Sequence, residues 1–196
     1  MKDYKNYLGH YIDTLRELGM DIQNSKEELL DMILGLPGDM LEEMLPECVV
    51  GTMFDYMKSN QMFSFDTEAF NVGRMYADFL EKVAAISHGE LTFTQIEEIQ
   101  EAEETIDSYG LECSMGICSL SFYCNGKPYS GQAEVYNDWF DTGVLPFINQ
   151  VIQEQDTGKA LYCTGDGAQN LIVFYVSDDW EERLNEKAEW IELKKP

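Results

Sequence analysis

The sequence predicts an α+β fold, with an N-terminal all-helical region followed by a mixed region in the order ββαββαβ on a mainly antiparallel sheet. Three observations carry this reading. Apolar residues recur at steps of three and four as far as about residue 108. After Tyr109 and Gly110 the period changes to alternation. Asn125 and Gly126 then supply the dipeptide that best tolerates the positive φ angles of a two-residue hairpin turn.

The first helix is expected from Asp3 to Leu18, because Tyr4, Tyr7, Leu8, Tyr11, Ile12, Leu15 and Leu18 form one apolar stripe. Ser25 and Glu28 have the spacing of a capping box, opening a second helix that Gly35 and Pro37 stop. A short helix follows through Leu45, ended by Pro46, and Thr52 to Met57 add a turn or two. A longer helix is expected from Asp66 to Ser87, burying Met75, Tyr76, Phe79, Leu80, Val83 and Ile86. Another begins near Thr92, with Gln95 as its capping partner and Ile96, Ile99, Ala102 and Ile106 turned inward. Glu97, Glu101 and Glu104 then share its outer side.

In the mixed region a two-residue turn pairs Cys124 with Lys127, Phe122 with Tyr129, Leu120 with Gly131 and Cys118 with Ala133. Ile117, Ser119, Ser121 and Tyr123 face the other way. A helix over 142–153 carries Val144, Phe147, Ile148, Val151 and Ile152, with Pro146 in its first turn. Strands are expected over 159–163 and 170–176, the latter central because it is apolar on both faces. Ser177 or Asp178 caps a helix through Asn185, and 188–193 reads as a last strand. The expected organisation is 1–108 and 109–196, packed as one compact unit.

The composition narrows the functional classes. There are 37 Asp and Glu against 13 Lys and Arg, a net charge of −24, while 44% of residues are hydrophobic, so the acid surrounds a folded core. Such a surface repels phosphate backbones and anionic lipid, and it attracts basic proteins and cations. Direct nucleic-acid and membrane binding are therefore not expected. The N-terminal segment has no apolar run of signal-peptide type, and the five cysteines form no C-x-x-C pair, so the chain reads as cytoplasmic with buried free thiols.

No catalytic motif stands out, and neither a cofactor nor a metal is expected. The two histidines, His10 and His88, sit beside a helix stripe and at a helix end, with no nucleophile placed for either. Cys113, Cys118 and Cys124 are spaced too loosely for zinc, and the turn around Gly165 and Asp166 has no Lys for a phosphate loop. Glu134, Asp138 and Asp141, with Asp166 as a further oxygen donor, are the one group able to serve metal-assisted hydrolysis. Trp139, Phe140 and Trp180 are expected in the core.

The sharpest local feature is the run Glu97, Glu98, Glu101, Glu103, Glu104 and Asp107. Glu97, Glu98, Glu101, Glu104 and Asp107 are the candidate contacts for a basic partner protein. In size, acidity, cytoplasmic character and lack of a catalytic constellation the chain resembles bacterial immunity proteins that neutralise toxins. That resemblance lies in general character and transfers no site residue. It implies an inhibitor that sequesters a basic partner; the alternatives are a nucleic-acid mimic inhibiting a DNA-binding enzyme, or the hydrolase built on Glu134, Asp138 and Asp141.

Overall fold

The structure, a computed structural model, describes residues 3–68, 72–106, 108–166, 168–188 and 193–196. Among them it has an N-terminal helical region and two three-stranded antiparallel sheets, which is the α+β class that the sequence predicts. Contacts divide the chain into two units. One joins the chain up to Phe65 with Leu161–Lys195, and the other is Asp66–Ala160.

The first unit opens with α1 (Tyr4–Glu17), whose N-cap Asp3 accepts a hydrogen bond from the Asn6 N–H and whose stripe of Leu8, Tyr11, Ile12 and Leu15 is buried. Helix α2 (Lys26–Leu34) carries the full capping box of Ser25 and Glu28. After α3 (Gly38–Glu43), Pro46 begins α4 (Pro46–Tyr56) and does not merely end what precedes it. A first-turn proline loses no hydrogen bond and brings its φ already set for a helix. Strand β1 (Met62–Asp66) lies at one edge of a sheet in the order β1–β6–β5, formed with β5 (Ala160–Gly165) and β6 (Asn170–Val176). The doubly apolar β6 is central, as expected.

Helix α7 (Asp178–Asn185) follows, capped by the Ser177 hydroxyl. An aromatic chain knits this unit: Tyr11 meets Phe54 edge-on at 6.0 Å, Phe54 meets Phe174 at 5.3 Å, and Phe174 tilts against Trp180 at 6.0 Å. The Trp180 indole N–H donates to the Leu18 carbonyl at 2.9 Å. The expected last strand falls largely on residues 189–192, outside the described residues; beyond them Lys194 bridges Cys163.

The second unit contains α5 (Met75–Ile86), the strands β2 (Phe93–Ile106), β3 (Glu112–Cys124) and β4 (Lys127–Tyr136), and α6 (Leu145–Gln153). The hairpin between β3 and β4 has the expected register, and its turn residues Asn125 and Gly126 have φ of 48° and 80°. Phe140 is buried between Tyr76 and Phe79, with ring centroids at 5.0 and 4.9 Å. Gly131 leaves room for the Phe147 ring, since a Cβ there would lie 2.6 Å from it.

Two expected helices are corrected. The chain over 62–66 is a strand, and α5 starts only at Met75 after a short 3-10 turn (Val72–Arg74); residues 69–71 lie outside the described residues. The segment expected as a helix from Thr92 is β2, so strands occur within the first 108 residues. Its apolar residues do have helical spacing, yet Ile99 and Ile106 are 59% and 67% exposed, and no core uses that stripe. Glu97 with Glu101, Glu98 with Glu101, and Glu101 with Glu104 would stand as like-charge neighbours on a helix, which destabilises it. Extended pairing with β3 spreads them apart and satisfies the backbone.

Candidate partner-binding face

Strand β2 forms one edge of the sheet β2–β3–β4. Its register against β3 shifts between Thr94 and Glu97, a bulge at which Gln95 adopts φ +50°. One extra residue in a strand reverses the alternation beyond it. Glu97, Ile99, Glu101 and Glu103 are thereby paired with Ser121, Ser119, Ile117 and Met115, on the face opposite to buried Cys118, Leu120 and Phe122. Without the bulge, Glu98 and Glu104 would face outward in their place.

The expected acidic group is therefore split. Glu97 and Glu101 share the outer face with Glu103, which the helical reading set aside. Glu98 turns inward, where its carboxylate accepts the Ala77 N–H at 2.5 Å in the first turn of α5. An anion there satisfies an orphan helix donor and opposes the helix dipole. Burial nevertheless pushes the Glu98 carboxyl above its usual range, against the hydrogen bonds from the Ala77 and Tyr76 backbone that lower it. Glu104 shares the parity of Glu98 but lies on the exposed end of the strand. Asp107 lies outside the described residues.

The outer face mixes acid with exposed apolar side chains: Ile99, Met115, Ile117 and Tyr136 are each more than two-fifths exposed. An open groove of about 500 Å³ crosses it, lined in part by Glu97, Ile99, Ser119, Ser121, Ser130 and Gln132. Among the described residues no Lys or Arg forms an ion pair with Glu97, Glu101 or Glu103. The sequence explains why: from Val83 to Gly126 it contains no Lys or Arg at all. Carboxylates with no nearby cation keep their field directed into solvent.

The other candidate residues are placed differently. Both oxygens of Asp141 are engaged locally, Oδ1 by the Gly143 N–H and Oδ2 by the Glu134 N–H, each at 2.8 Å. Glu134 itself stands on the outer face, paired with Ile117. Asp166 belongs to the first unit, where it accepts the Ala168 and Asn170 N–H groups. Asp55 lies beside it, and burial, with the neighbouring Asp166 charge, raises the Asp55 carboxyl against lowering hydrogen bonds from Ser64 and Asn170. Among the described residues no group of three or more His, Cys, Asp or Glu is arranged to hold a metal ion. The thiols of Cys118 and Cys124 are pushed up to about 11, and that of Cys163 to about 12, by burial.

Among the described residues no helix is long and apolar enough to cross a membrane. Comparison with protein-family models, curated proteins and solved structures finds no match to this chain.

Proposed function

We propose that this chain is a binding protein that captures and neutralises a basic partner protein, in the manner of an immunity or antitoxin inhibitor, on the outer face of the β2–β3–β4 sheet. The observation that carries the reading is the row Glu97, Glu101 and Glu103, without cationic partners among the described residues and interleaved with exposed Ile99, Met115 and Ile117. Charge of one sign raises the association rate of an oppositely charged partner, and the apolar residues between the charges supply area to be buried once it arrives. A single short row of carboxylates suits a compact protein epitope. A nucleic-acid mimic needs a longer track in two rows.

The test is a pull-down from the native cell at low and moderate salt, with the wild-type chain and a variant carrying Glu97→Lys, Glu101→Lys and Glu103→Lys. Recovery of a basic protein by the wild type and its loss in the variant supports the proposal. Equal recovery by both, or no basic protein at either salt, contradicts it.

A further inference from the structure

The two edges of the β2–β3–β4 sheet are finished differently. In an antiparallel strand, successive residues aim their backbone N–H and C=O groups at opposite neighbours. The Ser114 C=O of β3 accepts from the Asn137 N–H, just beyond β4, and the Ser114 N–H donates to the Asn137 side-chain Oδ1, each at 2.8 Å, so the even-numbered residues of β3 bond toward β4. The odd-numbered residues, Met115, Ile117 and Ser119, then bond toward their partners Glu103, Glu101 and Ile99. It follows that Ala102 and Glu104 of β2 aim their N–H and C=O groups outward, away from the sheet.

On β4 the corresponding outward positions are Pro128, Ser130, Gln132 and Glu134. Pro128 has no N–H to offer, and the Glu134 N–H is taken by Asp141. That edge is blunted. On β2 the whole stretch from Glu101 to Ile106 is solvent-exposed on both faces, no strand among the described residues pairs with its edge away from β3, and no proline interrupts it. An edge this long invites another strand, and the usual defence against self-association is charge. Here Glu101, Glu103 and Glu104 would oppose their own copies in a dimer of this chain, so the same carboxylates select against a second copy and in favour of a cationic strand.

We infer that the outer edge of β2 over residues 101–106 accepts an extended, Lys- or Arg-bearing segment of the partner as an added strand. Backbone hydrogen bonds to Ala102 and Glu104 hold the segment, and basic side chains at alternate positions meet Glu101 and Glu103. This rests on the function proposed above and specifies its mode: the partner engages main chain as well as acid.

The probe is a short synthetic peptide alternating Lys with Val, compared with the same peptide N-methylated at alternate residues on its pairing edge. The account expects the unmethylated peptide to bind about tenfold tighter or more, the equivalent of one to two hydrogen bonds. It also expects the Ala102 and Glu104 amides to gain protection from hydrogen exchange on binding. Ala102→Pro, which removes an outward N–H, places a proline ring on the pairing edge and leaves charge and the β3 ladder intact, weakens the unmethylated peptide and narrows the difference between the two. Amide exchange on the wild-type chain gives a reading even if this variant fails to fold. Equal binding of both peptides, or failure of the unmethylated peptide to bind, overturns strand addition. If the triple Glu→Lys variant still loses a basic protein that Ala102→Pro captures normally, the proposed function stands and only this mode is wrong.

Discussion

Gly116→Ala is the substitution that most cleanly separates a strand from a helix over residues 93–106. Gly116 is paired with Ala102, and a Cβ built on it lies 2.0 Å from the Glu101 carbonyl oxygen and 2.6 Å from the Ala102 Cα. Both contacts are backbone, so no side chain can swing aside. Opening the oxygen contact to a tolerable separation moves β2 about 1 Å away from β3. Overpacking of this kind costs about 1–3 kcal/mol, and a weakened ladder hydrogen bond adds about 1 kcal/mol. Replacing glycine also stiffens the unfolded chain, which returns about 0.4–1 kcal/mol. The net expectation is a loss of about 1–3 kcal/mol, read as a lower urea midpoint at unchanged slope. Were 93–106 a helix lying elsewhere, alanine at 116 would be neutral or stabilising. A Gly116→Ala protein as stable as the wild type refutes the β2–β3 pairing, and with it the face on which the functional reading stands.

Two more outcomes follow from the same unit. Gly131→Ala drives a methyl group into the Phe147 ring and lowers stability by about 1–3 kcal/mol in the same urea assay, while Gly131→Ala combined with Phe147→Leu recovers part of the loss as the space is freed. Glu98 carries a pH signature. Its folded-state pKa is raised by burial, so its contribution to stability is complete below the unfolded value of about 4.3 and is lost as pH rises through the folded one. Glu98→Gln keeps the acceptor for the Ala77 N–H without the buried charge, so its melting temperature gains on the wild type as pH rises from 4 to 7. Glu98→Ala shows the same gain with pH, displaced downward by about 1 kcal/mol of lost helix capping.

Much of the fold was legible because local signals and tertiary packing agreed. The capping box at Ser25, the Asn125–Gly126 turn with its register and the central apolar strand Asn170–Val176 are each a few adjacent residues whose chemistry admits one outcome, and of the two caps open to α7, Ser177 and Asp178, the structure uses Ser177. Pro46 was ambiguous, since proline both ends one helix and begins the next, and the structure uses it for the second purpose.

The candidate site was only half legible. The acidic run was visible as composition, but its helical apolar spacing pointed to the wrong period, and the like-charge pairs at three and four residues were the contrary signal in the sequence. The bulge at Gln95 carries no sequence mark, being a left-handed glutamine where glycine or asparagine would be more usual. That single residue decides that Glu97, Glu101 and Glu103 face solvent while Glu98 caps α5. The open edge of β2 and the blunted edge of β4 were likewise beyond sequence reading, because both depend on which strands are neighbours.

The most direct measurement is an amide-resolved NMR titration of the chain with a lysine oligomer at low and moderate salt. The account predicts that the largest shifts gather on residues 97–106 and 115–119, and that they weaken as salt rises. Shifts distributed evenly over the acidic residues of both units, with no preference for β2 and its neighbour on β3, would contradict it.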